Sequence, residues 1–163
     1  MEISVAGERA LLEGMLDTQR QEVACLLVGM SLELARARLV PSLTTPLGLV
    51  KHATFVEKVW FHSRVAGVPR EVLELPVTVE ETFVLAPEDT VESVTNGFIA
   101  ACAHSREAAS SRSLDEQFPW HDGPVTLRFV YVHMIAELAR HAGHADILIE
   151  QLRAGDGPAM MST

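Results

Sequence analysis

The stretch "YVHMIAELARHAGHADILIEQL", residues 131–152, decides the fold. Apolar residues recur every three or four positions through Met134, Leu138 and Leu152, good helix formers lie between them, and there is no proline, so the stretch reads as one long helix. Four polar groups interrupt that reading. At about 100° per residue, with His133 at zero, Glu137 falls near 40°, His141 near 80° and His144 near 20°, a wedge of roughly 80°. Val130 and Leu148 share the wedge and Leu127, Met134, Leu138 and Leu152 flank it. The four are therefore expected in an apolar, core-facing stripe, where an unpaired carboxylate is costly.

Three more helical segments precede this one. The first runs from about Ala6 to Met30, with apolar positions at Leu12, Leu16, Val23, Leu26 and Met30, and a shorter stretch, "SLELARARL", follows it. In the second, Thr45 serves as N-cap, Pro46 takes the first helical position and Gly67 is a natural stop. Its inward stripe is predicted to be Leu49, His52, Val56 and Val59. The prolines and alternating apolar residues of "VPREVLELPVTVEETFVLAPED" suggest a long crossover with a short extended piece. Asp89 or Thr90 then caps a third helix through about Ser110, "SRSLDEQFPWHDGP" forms a loop, and the last helix spans about Val125 to Arg153. This pattern predicts an all-α protein, a four-helix bundle with a long crossover connection, occupying residues 1–163 as one domain.

The formal net charge of -9, with lysine only at Lys51 and Lys58, argues against nucleic acid and anionic membrane surfaces as partners. Apolar runs such as "ACLLVGM" are too short to span a bilayer, and no basic-then-apolar leader opens the chain, so a soluble cytoplasmic protein is expected. Cys25 and Cys102 stand apart in apolar helical surroundings and are expected as small core residues. Trp60, Phe61 and Trp120 are candidates to line an apolar substrate pocket. His62, His104 and His121 lie off the inward stripes or in loops and receive no role.

A divalent metal would offset the cost of the polar wedge. Glu137 and His141, four residues apart, can reach one ion, and His52 on the inward stripe of the second helix is the obvious third donor. Two neutral imidazoles and one carboxylate leave a tetrahedral zinc with an open fourth position, the arrangement of catalytic sites. Nickel, iron or manganese accept the same donors. A hydrogen-bonded core histidine and a helix-surface His–Glu pair would give the same pattern, so the residues alone leave both readings open. His144, and Arg140 just off the wedge near -20°, are candidates to meet substrate. His144 and His133 also serve as alternative ligands, or as side chains that orient the ligands.

"LVKHATFVEKVWF" together with "VHMIAELARHAGHADIL" resembles the DinB/YfiT-like superfamily of metalloenzymes, within it the DUF664 branch found largely in actinobacteria. The similarity runs from "LEGMLDTQR" to "ILIEQLRAG". The resemblance implies a four-helix bundle whose metal is held by His52, Glu137 and His141. The superfamily more commonly has His where Glu137 stands; Glu is similar to the variant of the mycothiol-dependent maleylpyruvate isomerases. By that resemblance, a low-molecular-weight thiol, mycothiol in such organisms, is the co-substrate, and the protein is a thiol-dependent S-transferase or isomerase acting on a small electrophile. The alternatives are a hydrolase using a metal-bound water and a metal- or ligand-binding module without turnover. Superfamily members often pair, and an apolar strip of Tyr131, Ile135, Ala142 and Ile149 opposite the ligands is expected to face the third helix or a second copy in a homodimer.

Overall fold

Caps and glycines set the helix boundaries in the computed structural model, which describes residues 7–155. Helix α1 (Glu8–Cys25) ends at Cys25 rather than Met30, because the chain relaxes into turns and Gly29 takes a left-handed φ of 73°. Ser31 caps the short α2 (Leu32–Arg36). At the start of α3 (Pro46–Glu57), the Thr45 side chain accepts a hydrogen bond from the Gly48 amide at 3.0 Å. That helix continues without a break as a π-helical segment, Lys58–Val65, and Gly67 stops it with a φ of 75°. Thr90, not Asp89, caps α4 (Val91–Ser110), exchanging hydrogen bonds of 3.0 and 2.9 Å with Ser93 in a capping box. Asp89 instead takes the Lys51 ammonium at 2.6 Å.

The crossover from Gly67 to Asp89 contains a 3-10 turn, Glu80–Phe83, where an extended piece was expected. Its backbone is satisfied locally, since the Glu81 carboxylate accepts from the Val77 and Thr78 amides at 2.9 and 3.2 Å. Extended structure appears instead in the last loop, where β1 (Gln117–Phe118) pairs antiparallel with β2 (Val125–Thr126) just before α5 (Leu127–Gly155). The result is all-α apart from that two-residue ladder. Helices α1 and α3 both lie along α5, and α4 covers α3 and the π-helical segment. Tyr131, Ala142 and Ile149 of the apolar strip are buried, because α1 packs against that side and Tyr131 donates to Glu13 at 3.2 Å. The strip is thus covered within the chain. Among the described residues, no helix is long and apolar enough to cross a membrane.

The π-helical segment changes which residues face inward. Its wider turn lets Val59, Trp60, Phe61, His62 and Val65 all be buried, more consecutive positions than an α-helical stripe allows. His62, expected off the stripe, is therefore a core residue, with Nε2 3.0 Å from the Ala101 carbonyl. Burial holds its pKa below the ordinary histidine value, so it is the neutral ring that donates to that carbonyl.

Immediately before that segment lies a buried ion pair. Arg20 Nε and Nη2 donate in parallel to the two Glu57 oxygens, each at 2.8 Å, and the two side chains are 5% and 0% exposed. Burial disfavours the Arg20 cation, but the hydrogen bonds and charge of Glu57 outweigh it and raise the arginine pKa. Cys102 lies in the same region; burial first, then the Glu57 charge, pushes its thiol pKa up, so it is an inert core group. Cys25, expected in the core, is exposed at the end of α1.

Removing one partner of such a pair strands the other charge in the core. Glu57→Ala is expected to lower the unfolding free energy by about 3–5 kcal/mol, read by urea denaturation. Arg20→Met combined with Glu57→Leu should recover most of that loss.

Candidate metal centre and its cleft

The buried side of α5 is made by Leu127, Val130, Met134, Leu138 and Ala145, with α1 and α3 packed over it. His133, Glu137 and His141 are half-buried and His144 is exposed. The polar wedge therefore lies at the seam between the buried face and solvent, not in the middle of the core face as the periodicity suggested. The apolar flank through Leu138 and Ala145 takes the core, and the wedge turns towards α3, where it meets His52.

His141 Nε2 lies 3.0 Å and His52 Nε2 3.6 Å from the same oxygen, Glu137 Oε1. One donor atom from each of the three residues lies within 4.8 Å of the others, and among the described residues this is the one group of three metal-ligating side chains so placed. The donor set suits a borderline divalent cation: two imidazole nitrogens and a carboxylate oxygen. A separation of 3.6 Å is too long for a hydrogen bond but close to the roughly 3.3 Å between ligand atoms of a tetrahedral zinc. The hydrogen bond from His141, with a lesser contribution from the His52 ring beside it, holds the Glu137 carboxyl well below the usual carboxylate range despite its partial burial, so it is anionic at neutral pH. The residues fit the metal that the sequence implied.

The other wedge residues stand apart from this cluster. Arg140 is exposed, its Nη1 3.5 Å from Glu137 Oε2. The His144 ring packs edge-on to His141 at 5.6 Å, on the solvent side. The His133 ring lies 4.3 Å from Trp60, further along the helix.

A cleft of about 470 Å³ opens in front of the three donors. Its walls are largely aromatic: Phe55, Trp60, Phe83, Trp120, Phe129 and His133. Trp60 and Trp120 were expected to line a pocket, and they stack at 4.6 Å. Phe61 does not; it is fully buried, facing Tyr131 and the Arg20 guanidinium. Phe55, Phe83 and Phe129 were missed. Phe55 and Phe129 could have been found from their places beside His52 and His133 on the two helices. Phe83 comes from the crossover, whose alternating apolar residues read as an extended piece and not as the 3-10 turn that carries it. The Arg64 guanidinium lies 4.1 and 3.8 Å from the Trp60 and Trp120 ring centroids, and burial pushes its pKa down to about 10. A separate cavity of about 460 Å³ behind the crossover, walled by Lys51, Lys58, Glu81 and Asp89, contains none of the three donors.

The family model of the mycothiol-S-transferases matches residues 11–154. The chain belongs to this family. No curated protein matches the chain. The matched span runs from α1 into α5, so it includes His52, Glu137 and His141 and the whole aromatic cleft.

Burial, with smaller contributions from Arg64 and Arg140, lowers the His133 pKa, opposed by Glu137. Its ring is thus neutral at pH values where a free histidine is already partly charged. The His133 carbon-bound ring protons should titrate in NMR spectra with a midpoint below 6.5, and Arg64→Met should move that midpoint upward.

Proposed function

We propose that the protein is a divalent-metal-dependent mycothiol S-transferase in which His52, Glu137 and His141 hold the metal, zinc by donor preference, and the aromatic cleft receives a small planar electrophile. The observation that carries this reading is the position of the three donors at the polar end of an otherwise aromatic cleft. The family supplies the thiol; the donor set and the cleft walls support the rest.

The residues divide the work as follows. A divalent cation held by His52, Glu137 and His141 would lower the pKa of a thiol beside it and so favour thiolate at neutral pH. Glu137, anionic at neutral pH, would supply the negative charge of the ligand set, and His52 and His141 one imidazole nitrogen each. Trp60, Trp120 and Phe129 hold the electrophile by its face and keep water from it. His133, a neutral base on the cleft wall, accepts the thiol proton; the sulfur electron pair forms the new bond to the electrophilic carbon, and that carbon's leaving group, chloride from a chloroarene, departs with its bonding pair. His144 and Arg140, at the exposed edge, meet the polar remainder of the thiol. Cys102 takes no part, because its thiol is buried and its pKa raised.

Wild-type protein purified without a polyhistidine tag should carry one equivalent of transition metal by elemental analysis, and it should conjugate mycothiol to a dinitro-substituted chloroarene. His52→Ala and His141→Ala should each weaken metal affinity by more than about a hundredfold, beyond the cost of losing an orienting partner. Both tryptophans of the chain line the cleft, so indole emission should be quenched saturably by the arene. Absence of metal after supply would sink the metal assignment, and turnover without thiol would replace the transferase by a hydrolase.

A further inference from the structure

His52 is the only one of the three donors that comes from outside α5, and its ring is gripped on the side away from the cluster. Its Nδ1 lies 2.7 Å from Thr82 Oγ1, a buried hydroxyl in the 3-10 turn of the crossover. That hydroxyl has one proton. The proton goes to the Val79 carbonyl, 2.5 Å away, because a carbonyl oxygen can only accept. Towards His52, Thr82 is therefore left with lone pairs, and the partner across 2.7 Å has to be an Nδ1–H. A neutral imidazole with its proton on Nδ1 has a bare Nε2, and Nε2 is the atom that faces Glu137.

The next residue of the turn controls the ring plane. Phe83 stacks on His52 with centroids 4.4 Å apart and 10° between planes. The turn is itself held from several sides. Lys51 Nζ donates to the Val84 carbonyl at 2.9 Å, and Arg36 Nη2 donates to the Ala86 and Asp89 carbonyls at 2.6 and 2.7 Å. Gly48 lets the turn come this close to α3, since a Cβ there would stand 3.3 Å from the Phe83 carbonyl oxygen and 3.0 Å from the Thr45 hydroxyl oxygen.

From this arrangement we infer that Thr82 is a positioning residue for the metal centre: its hydroxyl selects the Nδ1–H tautomer of His52 and so presents Nε2 as a ready donor. This rests on the metal-centre reading given above for the role of the donor, while the tautomer itself is a property of the metal-free protein. The two can fail separately.

The test compares Thr82→Val, which keeps the shape and loses the acceptor, with Thr82→Ser, which keeps the acceptor and loses the methyl. In metal-free wild type and Thr82→Ser, long-range 15N correlation spectra at alkaline pH should show His52 protonated on Nδ1; in Thr82→Val the proton should shift to Nε2 or divide between the two. Zinc affinity, from competition with a chromophoric chelator, should fall about 10–100-fold in Thr82→Val and stay near wild type in Thr82→Ser. A wild-type His52 protonated on Nε2 would overturn the inference without reference to any variant. Equal losses in the valine and serine variants would overturn it too, by assigning the effect to packing of the methyl group. If wild type has the expected tautomer but takes up no zinc, the metal-centre reading fails and the assignment of Thr82 as a positioning residue for a metal fails with it, leaving only the tautomer. Circular dichroism and gel-filtration elution of the variants should match wild type.

Discussion

A bidentate ion pair sealed from water sets the orientation of α3. Glu57, with no exposed surface, receives both Arg20 hydrogen bonds, and a pair of this kind tolerates little rotation of either helix before a buried charge loses its partner. With Glu57 turned towards α1, His52, five positions earlier, lies about 140° around the same helix and turns towards α5. The ion pair and the donor cluster thus use two sides of one helix. The switch to π-helical geometry follows directly, at Lys58, and brings Trp60, Phe61 and His62 inward together.

The cluster and the cleft complement each other. Three donors concentrated at one end leave the remaining walls free to be aromatic, so an apolar ligand and an ionic centre meet without burying an unpaired charge. Glu137 is tolerated at the seam of α5 because His52 and His141 flank one oxygen and Arg140 approaches the other from solvent. Neither described cysteine stands in the cleft, which accords with membership of the mycothiol-S-transferase family.

Much of this was legible in the sequence, for identifiable reasons. Thr45, Pro46 and Gly67 bound the second long helix where cap and stop chemistry put them, and Leu49, His52, Val56 and Val59 are all buried as their spacing required. His52, Glu137 and His141 converge as the two helix faces implied. The reading went astray where local periodicity was a poor guide. Gly29 and the turns before it cut α1 short, a π-helical turn put His62 inside, and α1 occupied the apolar strip that had been assigned to the third helix or a second copy.

The sequence by itself determined where the long helices lie and the helix faces on which His52, Glu137 and His141 stand, because caps, breakers and a 3.6-residue repeat act over a few neighbours and need nothing from the rest of the chain. Only the tertiary structure decided that the polar wedge lies at a seam and not in the core, that Arg20 pairs with Glu57, and that Thr82 and Phe83 grip His52 from a 3-10 turn of the crossover. Those contacts join residues 30 to 37 positions apart or lie on loops without a repeat, so they exist only once the helices have packed.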